Sequence, residues 1–267
     1  QVHAYATAGG NDLARLYDSA GDDVFTATPD DAALYGDGFY NRAVAFRYAF
    51  GYSTAGGTDV AMLYDSAGDD RLVATPDYAK LYGSGFYNRA TAFRNVCAYA
   101  TAGGNDLARL YDSAGDDVFV GTPDEGKLYG TGFYNRAVAF RYVEAYATAG
   151  GSDLAKLYDS AGDDRFVATP DYAKTWGNGF YHRAVSFERV EAYASAGGYD
   201  RAYLCDSAGD DHLEASGHTA ALFTAHLSVW ANDFARVSAT SSQGGADTKH
   251  VESIDFVLET EGLWTDV

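Results

Sequence analysis

The stretch "AGGNDLARLYDSAGDD" occupies residues 8–23 and contains the two motifs on which the architecture depends. Gly-Gly-x-Asp returns every 47 residues, and "LYDSAGDD" returns at 63–70, 110–117 and 157–164, with "LCDSAGDD" at 204–211. The four prolines keep the same spacing, and no insertion or deletion separates the copies. Copies of constant length are typical of stacked repeats in which each copy packs against its neighbours.

The local pattern is that of β-strands. Apolar and polar residues alternate in stretches such as 13–17, turn-forming residues interrupt every few positions, and no stretch has a 3.6-residue apolar period. We predict an all-β, right-handed parallel β-helix in which each 47-residue repeat forms two coils of about 23 residues. The predicted organisation is a single domain over 1–267, with five repeats over 1–238 and a C-terminal partial repeat and cap over 239–267.

The alternation also predicts the core. Small or aliphatic residues and one phenylalanine occupy the inward positions of the first repeat and of its equivalents in later repeats. The predicted inward residues of repeat 1 are Ala4, Ala6, Ala14, Leu16, Phe25, Ala27, Ala32 and Leu34.

The charge balance limits the classes of partner. The chain has 38 acidic and 19 basic residues and a net charge of −19. Nucleic acids and anionic membranes are bound by basic surfaces, so we expect neither partner, nor insertion into a membrane. Strongly polyanionic polysaccharides are disfavoured for the same reason, unless calcium bridges them.

The chain end and the cysteines suggest a cellular context. The sequence begins at Gln1 without a recognisable secretory leader, which suggests a mature secreted chain or a domain of a larger multidomain secreted protein. Cys97 and Cys205 occupy different repeat positions, so we predict two free thiols rather than a disulfide. The expected location is therefore extracellular.

Three interpretations compete for the repeated aspartates. Glycine-aspartate corners resemble calcium-binding β-rolls, although the spacing here differs from their nine-residue units. Paired carboxylates could serve acid–base catalysis, but an active site is normally one place rather than five. Aspartate and serine also cap backbone N–H groups in turns, and we favour this structural role. No cofactor is predicted, and calcium remains the alternative.

Outward-facing aromatic residues give the candidate binding site. If strand 12–17 stacks on strand 32–36, one aromatic residue per rung forms a single stripe: Tyr17, Tyr35, Tyr64, Tyr82, Tyr111, Tyr129, Tyr158 and Trp176. Cationic residues occupy the neighbouring outward position, among them Lys80, Arg109, Lys127 and Lys174. Stacked tyrosines stabilise sheets without any ligand, yet an exposed aromatic stripe edged by polar groups also fits the faces of sugar rings.

A catalytic alternative rests on the fifth repeat. Residues that occur only in this copy are His212, Glu214, His218, His226, Trp230 and Asp233. The repeated Arg42 series is a weaker candidate for the base of a lyase. The chain contains no G-x-S-x-G, HExxH or P-loop motif.

The run "AYATAGGNDLARLYDSAGDDVF…GFYNRAVAF" resembles long repeat regions of large, planctomycete-type secreted proteins, over residues 1 to about 240. The functions of those regions are mostly unassigned. The predicted architecture is more loosely similar to β-helical carbohydrate-binding modules of the xylan-binding type and to parallel β-helix polysaccharide lyases. This likeness rests on fold and surface, not on a shared motif.

These observations favour a non-catalytic module that binds a plant-cell-wall-type polysaccharide, xylan or another β-glycan, through its aromatic columns. The alternatives are a calcium-dependent polysaccharide lyase or hydrolase with a site near the fifth repeat, and a structural surface spacer.

Overall fold

The computed structural model describes residues 1–267, and every regular element in it is a β-strand. No element is a helix of the length and apolar character needed to cross a membrane. The chain packs into two compact units, unit 1 with residues 1–113 and 124–144, and unit 2 with residues 114–123 and 145–267. In each unit, parallel strands stack into a β-solenoid, which confirms the predicted all-β class.

Unit 1 contains fourteen complete strands. They are β1 (Val2–Tyr5), β2 (Leu13–Tyr17), β3 (Val24–Ala27), β4 (Asp31–Gly36), β5 (Phe39–Val44), β6 (Tyr48–Tyr52), β7 (Val60–Tyr64), β8 (Arg71–Ala74), β9 (Tyr78–Gly83), β10 (Phe86–Thr91), β11 (Asn95–Tyr99), β12 (Leu107–Tyr111), β14 (Glu125–Gly130) and β15 (Phe133–Val138). In sheet A the order is β1-β5-β4-β3-β7-β11-β15-β14, and in sheet B it is β2-β6-β10-β9-β8-β12.

Unit 2 begins its strands with β13 (Val118–Thr122), and β16 (Tyr142–Tyr146) spans the boundary between the units along the chain. The others are β17 (Leu154–Tyr158), β18 (Arg165–Ala168), β19 (Tyr172–Gly177), β20 (Phe180–Val185), β21 (Arg189–Tyr193), β22 (Arg201–Cys205), β23 (His212–Gly217), β24 (Thr219–Phe223), β25 (Ser228–Asn232), β26 (Arg236–Ser241), β27 (Thr248–Ile254), β28 (Val257–Gly262) and β29 (Thr265–Asp266). Sheet A runs β13-β17-β21-β25-β24-β23-β27-β29 and sheet B runs β20-β19-β18-β22-β26-β28.

The turn of the solenoid is longer than predicted. Val24 pairs in parallel with Val60, 36 residues later, and Val60 pairs with Asn95. The predicted coil of about 23 residues is therefore wrong, because β3, β4 and β5 form an antiparallel meander within one sheet. Gly38, with a φ of 80°, lies in the tight hairpin between β4 and β5, where glycine tolerates the left-handed conformation.

Successive repeats occupy opposite sheets. In unit 1 the first repeat visits sheet A with β1, sheet B with β2, and sheet A again with the β3–β5 meander. The second repeat then starts in sheet B with β6 and places its β8–β10 meander there. Since three visits per repeat is an odd number, residues one 47-residue period apart lie on opposite sheets. In unit 2, the β18–β20 meander likewise lies in sheet B and the β23–β25 meander in sheet A.

The core lies between the two sheets of each unit. Leu16, Phe25, Ala27 and Leu34 are buried as predicted, and each fully buried phenylalanine or leucine stabilises the fold by about 1.5–3 kcal/mol. Ala4 is exposed because β1 is the terminal strand of sheet A. The predicted inward residues not yet described are buried or partly buried: Ala6, Ala14 and Ala32. The two cysteines are free thiols, as predicted.

The corner aspartates bind the next turn of the chain. A carboxylate oxygen of Asp18 accepts the backbone N–H groups of Thr54 and Ala55, both at 2.7 Å. Asp22 accepts the N–H of Thr58 at 2.7 Å. The structure thus shows the favoured capping role of the motif, and these bonds reach a corner 36 residues away in addition to the capping within the motif's own turn.

Glycine is required where one corner lies on the next. Gly57 has a φ of 94°, and a Cβ atom at this position would be 2.1 Å from the carbonyl oxygen of Gly21. The Gly-Gly-x-Asp motif therefore gives the close backbone approach that lets successive corners stack.

A buried histidine replaces a repeated asparagine in unit 2. In unit 1, the side chains of Asn88 and Asn135 donate to backbone carbonyls 60 residues earlier in the chain. His182 occupies the equivalent position, is fully buried, and donates from Nε2 to the carbonyl of Thr122 at 2.7 Å, whereas its Nδ1 has no hydrogen-bond partner. Burial lowers the pKa of His182 to about 4.

A glycine makes room for this imidazole. Gly121 stands where the equivalent residue of the four other repeats is alanine, and a Cβ there would be 3.0 Å from the ring of His182. Gly121 and His182 are thus a compensating pair of substitutions.

We expect the double variant Gly121→Ala/His182→Asn to resist acid better than the parent protein. His182 is neutral in the folded state but gains a proton on unfolding below its ordinary pKa of 6.5, so it costs stability as the pH falls from 6.5 towards 4. At pH 5 the double variant should be more stable by about 1–2 kcal/mol, with little difference at pH 8. Urea unfolding followed by tryptophan fluorescence measures this difference.

His182→Asn alone is the matched control, because it removes the buried imidazole but leaves the space beside Gly121 unfilled. Equal losses of stability between pH 8 and pH 5 in the parent and the double variant would contradict the assignment.

Candidate functional site

The predicted aromatic stripe is divided between the two sheets. Strand β2 pairs with β6 in sheet B, while β4 belongs to the sheet A meander, so residues 12–17 do not stack on residues 32–36 and the single-column prediction is wrong. In unit 1, sheet A contains Tyr35, Tyr64, Lys127 and Tyr129, and sheet B contains Tyr17, Lys80, Tyr82, Arg109 and Tyr111. In unit 2, Tyr158 lies in sheet A, and Lys174 and Trp176 lie in sheet B.

Tyrosines one turn apart form stacked pairs on the outer faces. The ring centroids of Tyr17 and Tyr52 are 4.9 Å apart in sheet B, and those of Tyr64 and Tyr99 are 5.1 Å apart in sheet A. The interplanar angles are 12° and 13°. Tyr17 is the most accessible of these rings, with 56% of its surface exposed.

Unit 2 contains the same arrangement. Tyr158 and Tyr193 stack at 5.0 Å with an interplanar angle of 13°. The sequence period does not reveal these pairs, because the two tyrosines are 35 residues apart and the repeat is 47 residues long.

A smaller side chain follows the unit 1 pairs in the same column. Thr91 is in register with Tyr52, and Val138 is in register with Tyr99. Thr91 and Val138 therefore interrupt the rings, and neither sheet presents one aromatic ring per rung.

The four predicted cationic residues have different surroundings. Lys127 lies 3.7 Å from a carboxylate oxygen of Glu125, and Arg109 pairs with Glu144 at 3.0 Å. In contrast, Lys80 lies 5.7 Å from the ring centre of Tyr82.

In unit 2, Lys174 lies 5.0 Å from the ring centre of Trp176 and 5.7 Å from that of Tyr172. Lys80 and Lys174, both in sheet B, thus contact aromatic rings, whereas the sheet A residue Lys127 contacts a carboxylate.

The distribution of charge has a period that sequence analysis missed. The position occupied by Val24 in the first repeat is Arg71 in the second, and the position of Asp31 becomes Tyr78. The third and fourth repeats follow the same alternation: Val118 and Glu125, then Arg165 and Tyr172. This two-repeat period could have been read from the sequence. That it places arginine and tyrosine on sheet B, and valine and carboxylates on sheet A, follows only from the alternation of sheets.

An arginine in each of the first four meanders shows the effect of this alternation. In sheet A of unit 1, Arg42 donates from Nε to Asp31 at 2.8 Å, and Arg136 donates to Glu125 at 2.6 Å. In sheet B, the equivalent Arg89 lies over Tyr78 at 4.7 Å, and its Nε is buried without a hydrogen-bond partner.

The corresponding arginine of unit 2 repeats the sheet B arrangement. Arg183 lies over the ring of Tyr172 at 4.5 Å, and its Nε is also buried without a partner. A carboxylate has thus been replaced by an aromatic ring beside both sheet B arginines.

Three buried aspartates meet at a corner of unit 1. Asp65, Asp70 and Asp106 each have a carboxylate oxygen within 4.8 Å of the others. The oxygens already accept bonds: Asp65 from Ala102 N–H, Asp70 from Ser66, and Asp106 from the N–H of Asp70. The unbonded Oδ1 of Asp70 lies against Gly83, where a Cβ atom would be 1.6 Å away. These contacts are those of corner capping, and calcium binding stays a prediction.

The electrostatics of this corner depend on a missing hydroxyl group. Asp59 accepts a bond from Ser53 at 2.5 Å, but Ala100 stands in place of that serine beside Asp106. Burial, opposed by the N–H of Asp70, raises the pKa of Asp106 to about 6, and Asp200 in unit 2 is raised to about 6 for the same reason.

The residues unique to the fifth repeat do not converge on one site. His212 and Glu214 are neighbours on the outer face of β23, with Nε2 3.4 Å from a carboxylate oxygen. Trp230 lies on β25 and packs edge-on against Phe223.

The three other candidates lie at the turns of the same meander. His218 lies near Asp233, whose N–H bonds to the His218 carbonyl, in the turn after β23. His226 is exposed in the turn between β24 and β25, near the other end of these strands.

Searches of protein families, curated proteins and solved structures find no match to this chain.

We expect Ala100→Ser to stabilise the protein at neutral pH more than at acid pH. A carboxyl group whose folded pKa is raised contributes stability that is present below its ordinary pKa of 3.8 and is lost as the pH rises through about 6. A serine hydroxyl beside ionised Asp106 should recover about 1 kcal/mol at pH 7.5. Thermal unfolding at pH 4.5 and pH 7.5 measures the gain.

Asp106→Asn should reduce the change in unfolding temperature between pH 4.5 and pH 7.5. Asp37→Asn, in an exposed hairpin turn, removes the same charge and is the matched control. A profile for Asp106→Asn that follows the parent protein throughout would refute the role of Asp106.

Proposed function

We propose that the chain is a non-catalytic carbohydrate-binding module that recognises a plant-cell-wall-type polysaccharide, xylan or another β-glycan, through its exposed tyrosines. The observation that carries the proposal is the set of stacked tyrosine pairs on the outer faces, such as Tyr17–Tyr52 and Tyr64–Tyr99. Sugar rings present C–H groups that pack on aromatic faces, and rigid repetition adds avidity along a polymer.

The setting proposed for this activity follows from the sequence. The chain acts outside the cell, as part of a larger secreted protein that engages neither nucleic acid nor the membrane interior. The resemblance to planctomycete-type repeat regions and to β-helical carbohydrate-binding modules supports this setting. Binding requires no cofactor, and melting temperatures with calcium and with EDTA test whether the aspartate corners hold calcium; a higher value with calcium would identify it as a ligand.

A structural spacer is the second candidate. The paired rings of Tyr64 and Tyr99 contact each other, and such stacking stabilises a sheet without a ligand. For catalysis the structure offers no comparable observation, because the six unusual side chains of the fifth repeat are dispersed along one meander.

Affinity electrophoresis in gels containing xylan, β-glucan or mannan tests the proposal. We expect at least one of these polysaccharides to retard the protein. Tyr64→Ser/Tyr99→Ser and Tyr17→Ser/Tyr52→Ser should each weaken that binding, by about fivefold for each ring that contacts the polymer.

The matched controls are Tyr64→Phe/Tyr99→Phe and Tyr17→Phe/Tyr52→Phe, which keep the rings and remove only the hydroxyl groups. Thermal unfolding of every variant separates loss of binding from loss of folding. Absence of retardation by every polysaccharide, neutral or acidic, would leave the spacer as the surviving function.

A further inference from the structure

The outer face of sheet B in unit 1 is basic although the protein is strongly acidic. Its six complete strands contain five cationic residues and no aspartate or glutamate, and the one acidic residue that unit 1 adds to this sheet, Glu144 of β16, pairs with Arg109. The cationic residues are Arg15, Arg71, Lys80, Arg89 and Arg109. The eight strands of sheet A contain only three cationic residues together with Asp31 and Glu125.

Pairing increases the contrast between the two faces of unit 1. The three sheet A cations, Arg42, Lys127 and Arg136, all form salt bridges. On sheet B, four of the five form none: Arg15, Arg71, Lys80 and Arg89. The positive charge of sheet A is therefore neutralised within the protein, whereas on sheet B only Arg109 is neutralised, by Glu144.

These unpaired cations lie among aromatic side chains. Arg89 is directly in register with Lys80 on one side and with Phe50 on the other. Tyr82 and Tyr87 lie in register in the neighbouring column, and Tyr78 lies beneath the Arg89 guanidinium.

The part of sheet B in unit 2 that precedes β26 and β28 has the same kind of surface. Strands β18, β19, β20 and β22 of its sheet B contain four cationic residues and no acidic residue. Arg165, Lys174, Arg183 and Arg201 form no salt bridge, whereas the sheet A residues Lys156 and Arg189 both pair with Glu191.

We propose that the sheet B face binds a polysaccharide whose sugars carry carboxylate groups, that is, a polyuronate. This inference rests on the carbohydrate-binding role proposed above, and it assigns to sheet B an acidic polysaccharide in place of neutral xylan or β-glucan. Within this protein, Arg42 and Arg136 satisfy a carboxylate, while Arg89 and Arg183 have an aromatic ring in its place. A uronate supplies the missing carboxylate, which pairs with the planar guanidinium, and its sugar ring packs on tyrosine.

The net charge of −19 does not prevent this binding. The aspartates of the repeated motif lie at the corners, where Asp18 and Asp22 accept backbone N–H groups. At physiological ionic strength charges are screened over about 8 Å, so a ligand on the sheet responds chiefly to the charges beside it. The net charge is a sum over acidic corners and a basic sheet B face, so it does not describe the charge of either surface.

Calorimetric titration of the full chain with polygalacturonate tests the proposal. We expect binding that weakens by about tenfold between about 50 mM and about 200 mM NaCl, since several ion pairs form. The variant Arg71→Gln/Lys80→Gln/Arg89→Gln should lose about tenfold or more in affinity.

The matched control is Arg42→Gln/Lys127→Gln/Arg136→Gln. It removes the same three charges from the same unit, which takes the net charge from −19 to −22 in both variants, but from the face whose cations are already paired. We expect its affinity for polygalacturonate to stay within about twofold of the parent protein. An equal loss in both variants would overturn the assignment to sheet B.

Two comparisons made on the ligand need no variant to fold. Fully methyl-esterified polygalacturonate, which has the same sugars without charge, should bind at least about tenfold more weakly. Dextran sulfate, which has charge without carboxylates, should also bind more weakly, and binding as tight as that of polygalacturonate would overturn the carboxylate assignment. Arg71→Gln, on an exposed side chain, gives a single-site test if the triple variant unfolds.

The outcomes separate this inference from the function on which it rests. Binding of xylan or β-glucan without preference for polygalacturonate would overturn the polyuronate assignment and retain the carbohydrate-binding module. Failure of every neutral and acidic polysaccharide to bind would overturn both.

Discussion

The fold depends on hydrogen bonds between a corner carboxylate and backbone N–H groups one turn further along the chain. Asp18 and Asp22 make these bonds to residues 36 and 37 positions away, and the Gly-Gly pair allows the two corners to approach. They fix the length of the turn at about 36 residues, while the sequence repeats every 47. The difference of 11 residues is one further strand with its corner, such as the step from Leu13 to Val24, because the interval from Val24 to Val60 already contains the meander.

The all-β fold class, most of the core and the capping role of the aspartates could be predicted from the sequence. The two-residue alternation placed Phe25 and Leu34 in the core, and the repeated aspartates were read as caps. The length of one solenoid turn could not be derived from the 47-residue repeat, because the repeat shows how often residues recur in the sequence and not which strands pair. A local signal was present in "YGDGFY" at 35–40, a short glycine-containing connection between strands that is typical of a hairpin.

The candidate site was predicted less well, for a related reason. A stripe drawn through Tyr17 and Tyr35 assumes that the chain returns to sheet B after β3, yet the antiparallel meander keeps Tyr35 in sheet A. The true partner of Tyr17 is Tyr52, one turn away. Charge was misjudged in the same way, because composition does not report that Arg71 and Tyr78 share a face from which Asp31 and Glu125 are absent.

The odd number of sheet visits in each repeat also limits how such a chain can change in length. Loss or gain of one 47-residue copy would move every later residue of that unit to the opposite face, so that paired and unpaired arginines would exchange positions. Copies added or lost two at a time would keep both faces intact. Selection on either face should therefore favour repeat numbers that change by two, and it should keep substitutions such as Gly121 and His182 together because they meet across 60 residues.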